Sequence, residues 1–146
     1  MAAIACVLAA GCSATLKDRP PDPAVVQRLA EVRAIAGPPV DSFWYEPVSS
    51  FEPIGDANLL IFTSPRHAWL LQLDGSCREL DFDPFIAVTS QMNRVTARFD
   101  SVRVRHNPIP CQIMEIRPVD AAVLRRVDRE KKAQPLPPDG GAAKAQ

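Results

Sequence analysis

The sequence predicts a mainly β, α+β fold: a small antiparallel β-barrel or sandwich with one N-terminal and one C-terminal helix. Three observations predict it. Between residues 43 and 119 short apolar segments recur, several with every second residue apolar, as in Val95-Thr96-Ala97-Arg98-Phe99 and Val102-Arg103-Val104-Arg105. A period of two places one set of side chains on a buried face and the other in water. Turn formers interrupt the run at Gly55-Asp56, Ser64-Pro65, Asp74-Gly75-Ser76, Asp83-Pro84, Asp100-Ser101 and Asn107-Pro108, close enough together for an antiparallel sheet. Helical spacing of apolar residues is confined to the stretches before and after this run.

The first helix starts at Asp22-Pro23. An N-cap carboxylate satisfies free N–H groups of the first turn, and proline at the first helical position gives up only an N–H with no partner there. Val26, Leu29, Val32 and Ile35 or Ala36 then form one apolar stripe, and Gly37-Pro38 stops the helix. Strands are expected at 43–48, 59–63, 68–73, 85–89, 94–99, 102–105 and 111–116. Asp100-Ser101 reads as a hairpin turn between Phe99 and Val102. Asp120 caps a second helix, with Val123, Leu124 and Val127 inward and a cationic last turn that complements the helix dipole. From residue 134 onward Pro, Gly and Ala dominate, and the tail is expected to be disordered.

The 146 residues suit a single domain. Apolar residues at 47% and charged residues at 23% are a normal globular balance. Lys+Arg and Asp+Glu both number 17, and the basic residues do not cluster, so neither nucleic-acid binding nor a polybasic membrane patch is expected.

Residues 2–11, Ala-Ala-Ile-Ala-Cys-Val-Leu-Ala-Ala-Gly, are uncharged and end in small residues directly before Cys12. Small side chains are what a signal peptidase accepts in the extended segment at its cleavage site. Leu8-Ala9-Ala10-Gly11-Cys12 resembles the lipobox of bacterial lipoproteins. The resemblance implies cleavage after Gly11, a diacylglycerol thioether on Cys12, and a lipid anchor in a membrane. Ser13-Ala14, without Asp after the cysteine, implies routing to the periplasmic face of the outer membrane. The basic n-region usual in such signals is expected upstream of the recorded start. A membrane-spanning helix, which takes roughly 20 apolar residues, is not expected, since Lys17-Asp18-Arg19 interrupts the run. The expected organisation is thus a signal peptide at 1–11, a lipidated tether at 12–22, a compact domain at 23–133 and a tail at 134–146.

The middle of the chain resembles an uncharacterised family of proteobacterial envelope proteins, a domain of unknown function (number 6491). The residues that carry the resemblance are Pro39-Val40-Asp41-Ser42-Phe43, Pro53-Ile54-Gly55-Asp56, Ala68-Trp69-Leu70-Leu71-Gln72-Leu73, Gly75-Ser76-Cys77 with Leu80, 94–102, and 110–118. It spans roughly residues 36–129, with Ser76 standing where the family pattern leads one to expect proline. It implies the fold and an envelope location, and no reaction.

In an oxidising compartment the body cysteines, Cys77 and Cys111, are expected to bond to each other. The alternative is a reactive thiol, which lacks a C-x-x-C arrangement or an adjacent histidine. His67 and His106 both sit at turn positions and read as solvated. No clustered acid with histidine is available for a metal site, and no cofactor is expected. Glu79, Asp81 and Asp83 alternate with Leu80 and Phe82 and read as a wet edge strand protected by charge, the other possibility being a divalent cation site. Arg94, Arg98, Arg103, Arg105 and Arg117 are expected to share the outer face of neighbouring strands, where they would meet an anionic polymer or an envelope protein. No nucleophile elbow, P-loop or dinucleotide motif is present. The expectation is a non-enzymatic envelope lipoprotein that binds another envelope component. An inhibitor or accessory subunit of an envelope enzyme stands second, and a hydrolase third.

Overall fold

A computed structural model describes residues 20–134, except 76, 78, 79, 81 and 82. The proposed signal segment, Cys12, the start of the tether, Glu79, Asp81 and the tail beyond 134 lie outside the described residues.

Helix α1 (Pro23–Ile35) begins as the sequence predicts: the Asp22 carboxylate accepts from the Ala24 N–H at 2.8 Å, and proline opens the helix. Val32 is its buried residue, with Val25, Leu29 and Ile35 partly buried beside it; Val26, expected in the stripe, is instead half exposed. The stop differs in mechanism from the predicted one. Gly37 does not take up a left-handed cap; the extended Ala36 ends the helix. Glycine at 37 lets the chain approach β8 closely: its N–H donates to the Pro118 carbonyl at 2.8 Å, and a Cβ there would stand a tight 3.1 Å from Pro118 Cγ.

Among the described residues eight strands follow: β1 (Ser42–Trp44), β2 (Ser50–Pro53), β3 (Asn58–Phe62), β4 (His67–Leu73), β5 (Ile86–Val88), β6 (Arg94–Thr96), β7 (Ser101–Val104) and β8 (Cys111–Asp120). β8 runs directly into helix α2 (Ala121–Ala133), and Asp120 ends the strand while its carboxylate accepts from the Ala122 and Val123 amides. Six strands form an antiparallel sheet in the order β2-β3-β4-β8-β7-β5, curled into a half-barrel, and β1 pairs with β6 in a small second sheet. The predicted mainly β fold with two flanking helices is therefore the fold observed.

The register sorts the core into two layers. Leu59, Ile61, Trp69, Leu71, Leu73, Ile113 and Ile116 face the inside of the half-barrel, where the small sheet contributes Phe43 and Val95. The Phe43 and Trp69 rings stack there, 4.3 Å apart. Leu60, Ala68, Leu70 and Val119 face the other way, under Val32 of α1 and Ala121 and Leu124 of α2. Strands β3 and β4 are thus buried on both faces, which is why they read as continuous apolar runs rather than alternating ones.

Three local expectations are corrected. β2 was not predicted: Ser50-Phe51-Glu52-Pro53 has one large apolar residue and a proline, a combination tolerated only at a sheet edge, where β2 lies. The strand predicted at 94–99 ends at Thr96, because Arg98 adopts φ +68° and turns the chain, leaving Phe99 exposed. Asp100 is consequently no hairpin tip. It is 2% exposed and receives the Thr89 hydroxyl on one carboxylate oxygen and the Thr96 amide on the other, both at 2.8 Å.

Candidate functional site

Cys77 and Cys111 form a disulfide, with Cα atoms 5.6 Å apart and both side chains buried in the inner layer. It ties the segment after β4 to the start of β8, near the β5 side of the half-barrel. The sulfur atoms are enclosed, which suits a cross-link and leaves no exposed thiol for the reactive alternative.

The five arginines do not form one stripe. Arg94 lies on β6, whose partner is β1 rather than β7 or β8, and its guanidinium stacks 4.8 Å from the Trp44 ring. Arg98 occupies the left-handed turn after β6, and its carbonyl accepts from the Gln112 side chain. Arg117, on the part of β8 that pairs with β4, is engaged by Glu115 at 2.5 Å. Arg103 on β7 and Arg105 just after it do fall together. Alternation along a strand sets the face a residue occupies; it does not say which sheet the strand joins.

His67 is exposed at the start of β4, as expected. His106 is exposed too, yet its Nδ1 lies 3.4 Å from Oδ2 of Asp83, a carboxylate whose own side chain is almost completely buried. Oδ1 of Asp83 accepts from the Phe85 amide at 3.0 Å, while Oδ2 has no hydrogen bond of good geometry and faces the amides of Arg105 and His106. The Phe85 amide first, then the Arg105 and His106 amides and the nearby imidazole, hold the Asp83 carboxyl below the usual carboxylate range against the cost of desolvation. Asp83 thus fastens the start of β5 to the end of β7. Among the described residues no group of three or more His, Cys, Asp or Glu side chains could hold a metal ion.

A second charged cluster joins the two helices to β2. Arg28 of α1 donates to Glu52 at 2.7 and 2.9 Å and to Asp128 of α2 at 2.7 and 3.2 Å, and Lys131 meets Glu31. The hydrogen bonds to Glu52 and then Asp128 raise the Arg28 pKa, and Lys131 lowers that of Glu31. The cluster lines a groove of about 440 Å³ in which the charges compensate one another, so it acts as a clamp. Sequence reasoning missed it because its partners lie 24 and 100 residues apart.

The feature best suited to meeting another molecule is the gap where the half-barrel fails to close. Strands β2 and β5 are the two edges of the sheet, and residues 48–51 and 84–86 line a groove of about 410 Å³ between them. The hydrogen-bond parity defines what the edges offer. Thr89 N–H donates to the Ser101 carbonyl, so in the antiparallel β5–β7 pair Ala87 bonds to Arg103, and the N–H and C=O of Ile86 and Val88 point away from β7. On the other edge Ile54 N–H donates to the Asn58 carbonyl, which turns the N–H and C=O of Phe51 outward. Val48, Phe51, Ile86 and Val88 also pack on the inner core, so the groove has an apolar floor.

A model of a family of unknown function, DUF6491, matches residues 1–135. The chain belongs to this family. The match covers the resemblance seen in the sequence and extends it through both helices. No curated protein and no solved structure matches the chain.

Proposed function

We propose that the chain is a bacterial envelope lipoprotein of this family, anchored through acylated Cys12 on the periplasmic face of the outer membrane, and that its domain is a non-enzymatic binding module. The observation that carries the reading is the run Leu8-Ala9-Ala10-Gly11-Cys12 ahead of a compact domain. The Cys77–Cys111 bridge supports it, because such bonds persist in oxidising compartments. The binding role is supported by the open edges of β2 and β5, which present backbone donors and acceptors beside an apolar groove. Such groups recognise a partner without reacting with it. The same edges suit an accessory subunit or inhibitor of an envelope enzyme, which is the second reading.

Metabolic labelling with a fatty-acid probe in a bacterial host tests the anchor. The expected result is label on the wild type, none on Cys12→Ser, and sedimentation of the labelled form with outer membranes. An unlabelled wild type migrating with Cys12→Ser overturns it.

A further inference from the structure

We propose that the free edge of β5 takes an extended acidic segment of a partner protein as an added strand, with Arg103 and Arg105 reading carboxylates two residues apart. The inference rests on the binding-module reading and names its site and the class of its ligand.

The backbone chemistry selects a polypeptide. Ile86 and Val88 each turn an N–H and a C=O away from β7, and no described group bonds to them. An extended chain repeats the complementary pair every two residues, which matches this spacing; a lipid phosphate or a sugar polymer has no such repeat. The β2 edge offers less, since Pro53 lacks the next outward N–H after Phe51.

The outer face selects acidic side chains. Register sets Arg103 opposite Ala87, and the Arg105 guanidinium already lies over the Phe85 ring at 4.8 Å, across the line of β5. Ala87 is small, so the long Arg103 side chain can pass over it toward a strand docked roughly 4.8 Å beyond. Neither arginine forms an ion pair among the described residues. Residues of the added strand on the same face would meet these cations at every second position. The alternate ones would meet Val48 and Phe51 across the groove, and so should be apolar.

The test uses the full chain carrying Cys12→Ser, and a fluorescent peptide that alternates Glu with Val. Saturable binding is expected by anisotropy, weakened at least about tenfold by Arg103→Glu and by Val88→Pro. The latter removes an outward N–H that the β5–β7 ladder does not use, and circular dichroism checks that it folds; Arg103→Glu, on the surface, carries the test independently. A peptide with Lys in place of Glu should bind the wild type at least about tenfold more weakly. Absence of Glu-peptide binding, equal binding of the Lys peptide, insensitivity to both variants, or saturable binding of lipopolysaccharide in place of the peptide overturns the proposal. None of these outcomes bears on fatty-acid labelling at Cys12, so failure here and failure of the anchor are told apart.

Discussion

The carboxylate of Asp100 accepts the hydroxyl of Thr89 at 2.8 Å, one of the contacts that hold the end of β5 against the start of β7. The Thr89 hydroxyl in turn accepts from the Ser101 amide at 2.9 Å, and the second carboxylate oxygen takes the Thr96 amide at the end of β6. Three strand ends meet at a single buried group. Asp100→Ala leaves the Thr96 amide and the Thr89 hydroxyl short of a partner and is expected to cost about 2–4 kcal/mol. Thr89→Val leaves the Ser101 amide and one Asp100 oxygen without that partner but keeps the Thr96 amide paired, and should cost somewhat less, about 1–3 kcal/mol. Urea unfolding of both variants checks the order.

The Cys77–Cys111 bridge closes a sequence separation of 34 residues. In the chain-entropy account a loop of that size contributes roughly 3–4 kcal/mol by restricting the unfolded chain. Paired Cys77→Ser and Cys111→Ser substitution is expected to lower stability by about that amount. Alkylation of unreduced protein followed by mass spectrometry should leave both sulfurs unmodified; two alkylated thiols would contradict the bridge.

Arg28 clamps α1 to both Glu52 of β2 and Asp128 of α2. Arg28→Ala leaves two carboxylates facing a site without its cation, and a loss of about 1–2 kcal/mol is expected after allowing for partial exposure. Added salt should recover part of the loss by screening the two acids. Denaturation midpoints at low and high ionic strength measure both effects.

Asp83 supplies a pH signature. Its folded pKa lies below the ordinary value of 3.8, chiefly because the Phe85 amide donates to the charged form. Its stabilisation is therefore fully present above that value and is lost as pH falls through the folded pKa. The stability difference between wild type and Asp83→Asn is expected to be present at about pH 5 and to shrink as pH falls below about 4. A difference that stays flat on further acidification would contradict the assignment.

How much of this was legible in the sequence depends on whether the deciding interaction is local. The α1 start, the α2 cap at Asp120 and strand β4 follow from residues within a few positions of one another, and the structure has them where the sequence puts them. Phe99 misled because its apolar character fits the alternation, while the turn that takes it out of the strand is set by a left-handed Arg98 with no glycine to announce it. Met92 and Asn93, both at positive φ between Gln91 and Arg94, make a tight hairpin that the sequence also did not flag. The arginine stripe dissolved because pairing of β6 with β1 is a tertiary choice. The groove between β2 and β5 could not be read at all, since it exists only because a curled sheet stops short of closure.

The two helices lie over β4 and β8 and their neighbour β3, while Ala87 and Arg103 on β5 and β7 face solvent directly. One wall of the half-barrel is therefore two layers thick and the other only one. Local opening of the thin wall disrupts less buried surface, so its amides should exchange with deuterium well before those of β3 and β4. The molecule would then breathe on the side where its edge is free, so that a strand could dock there without disturbing the better-packed wall.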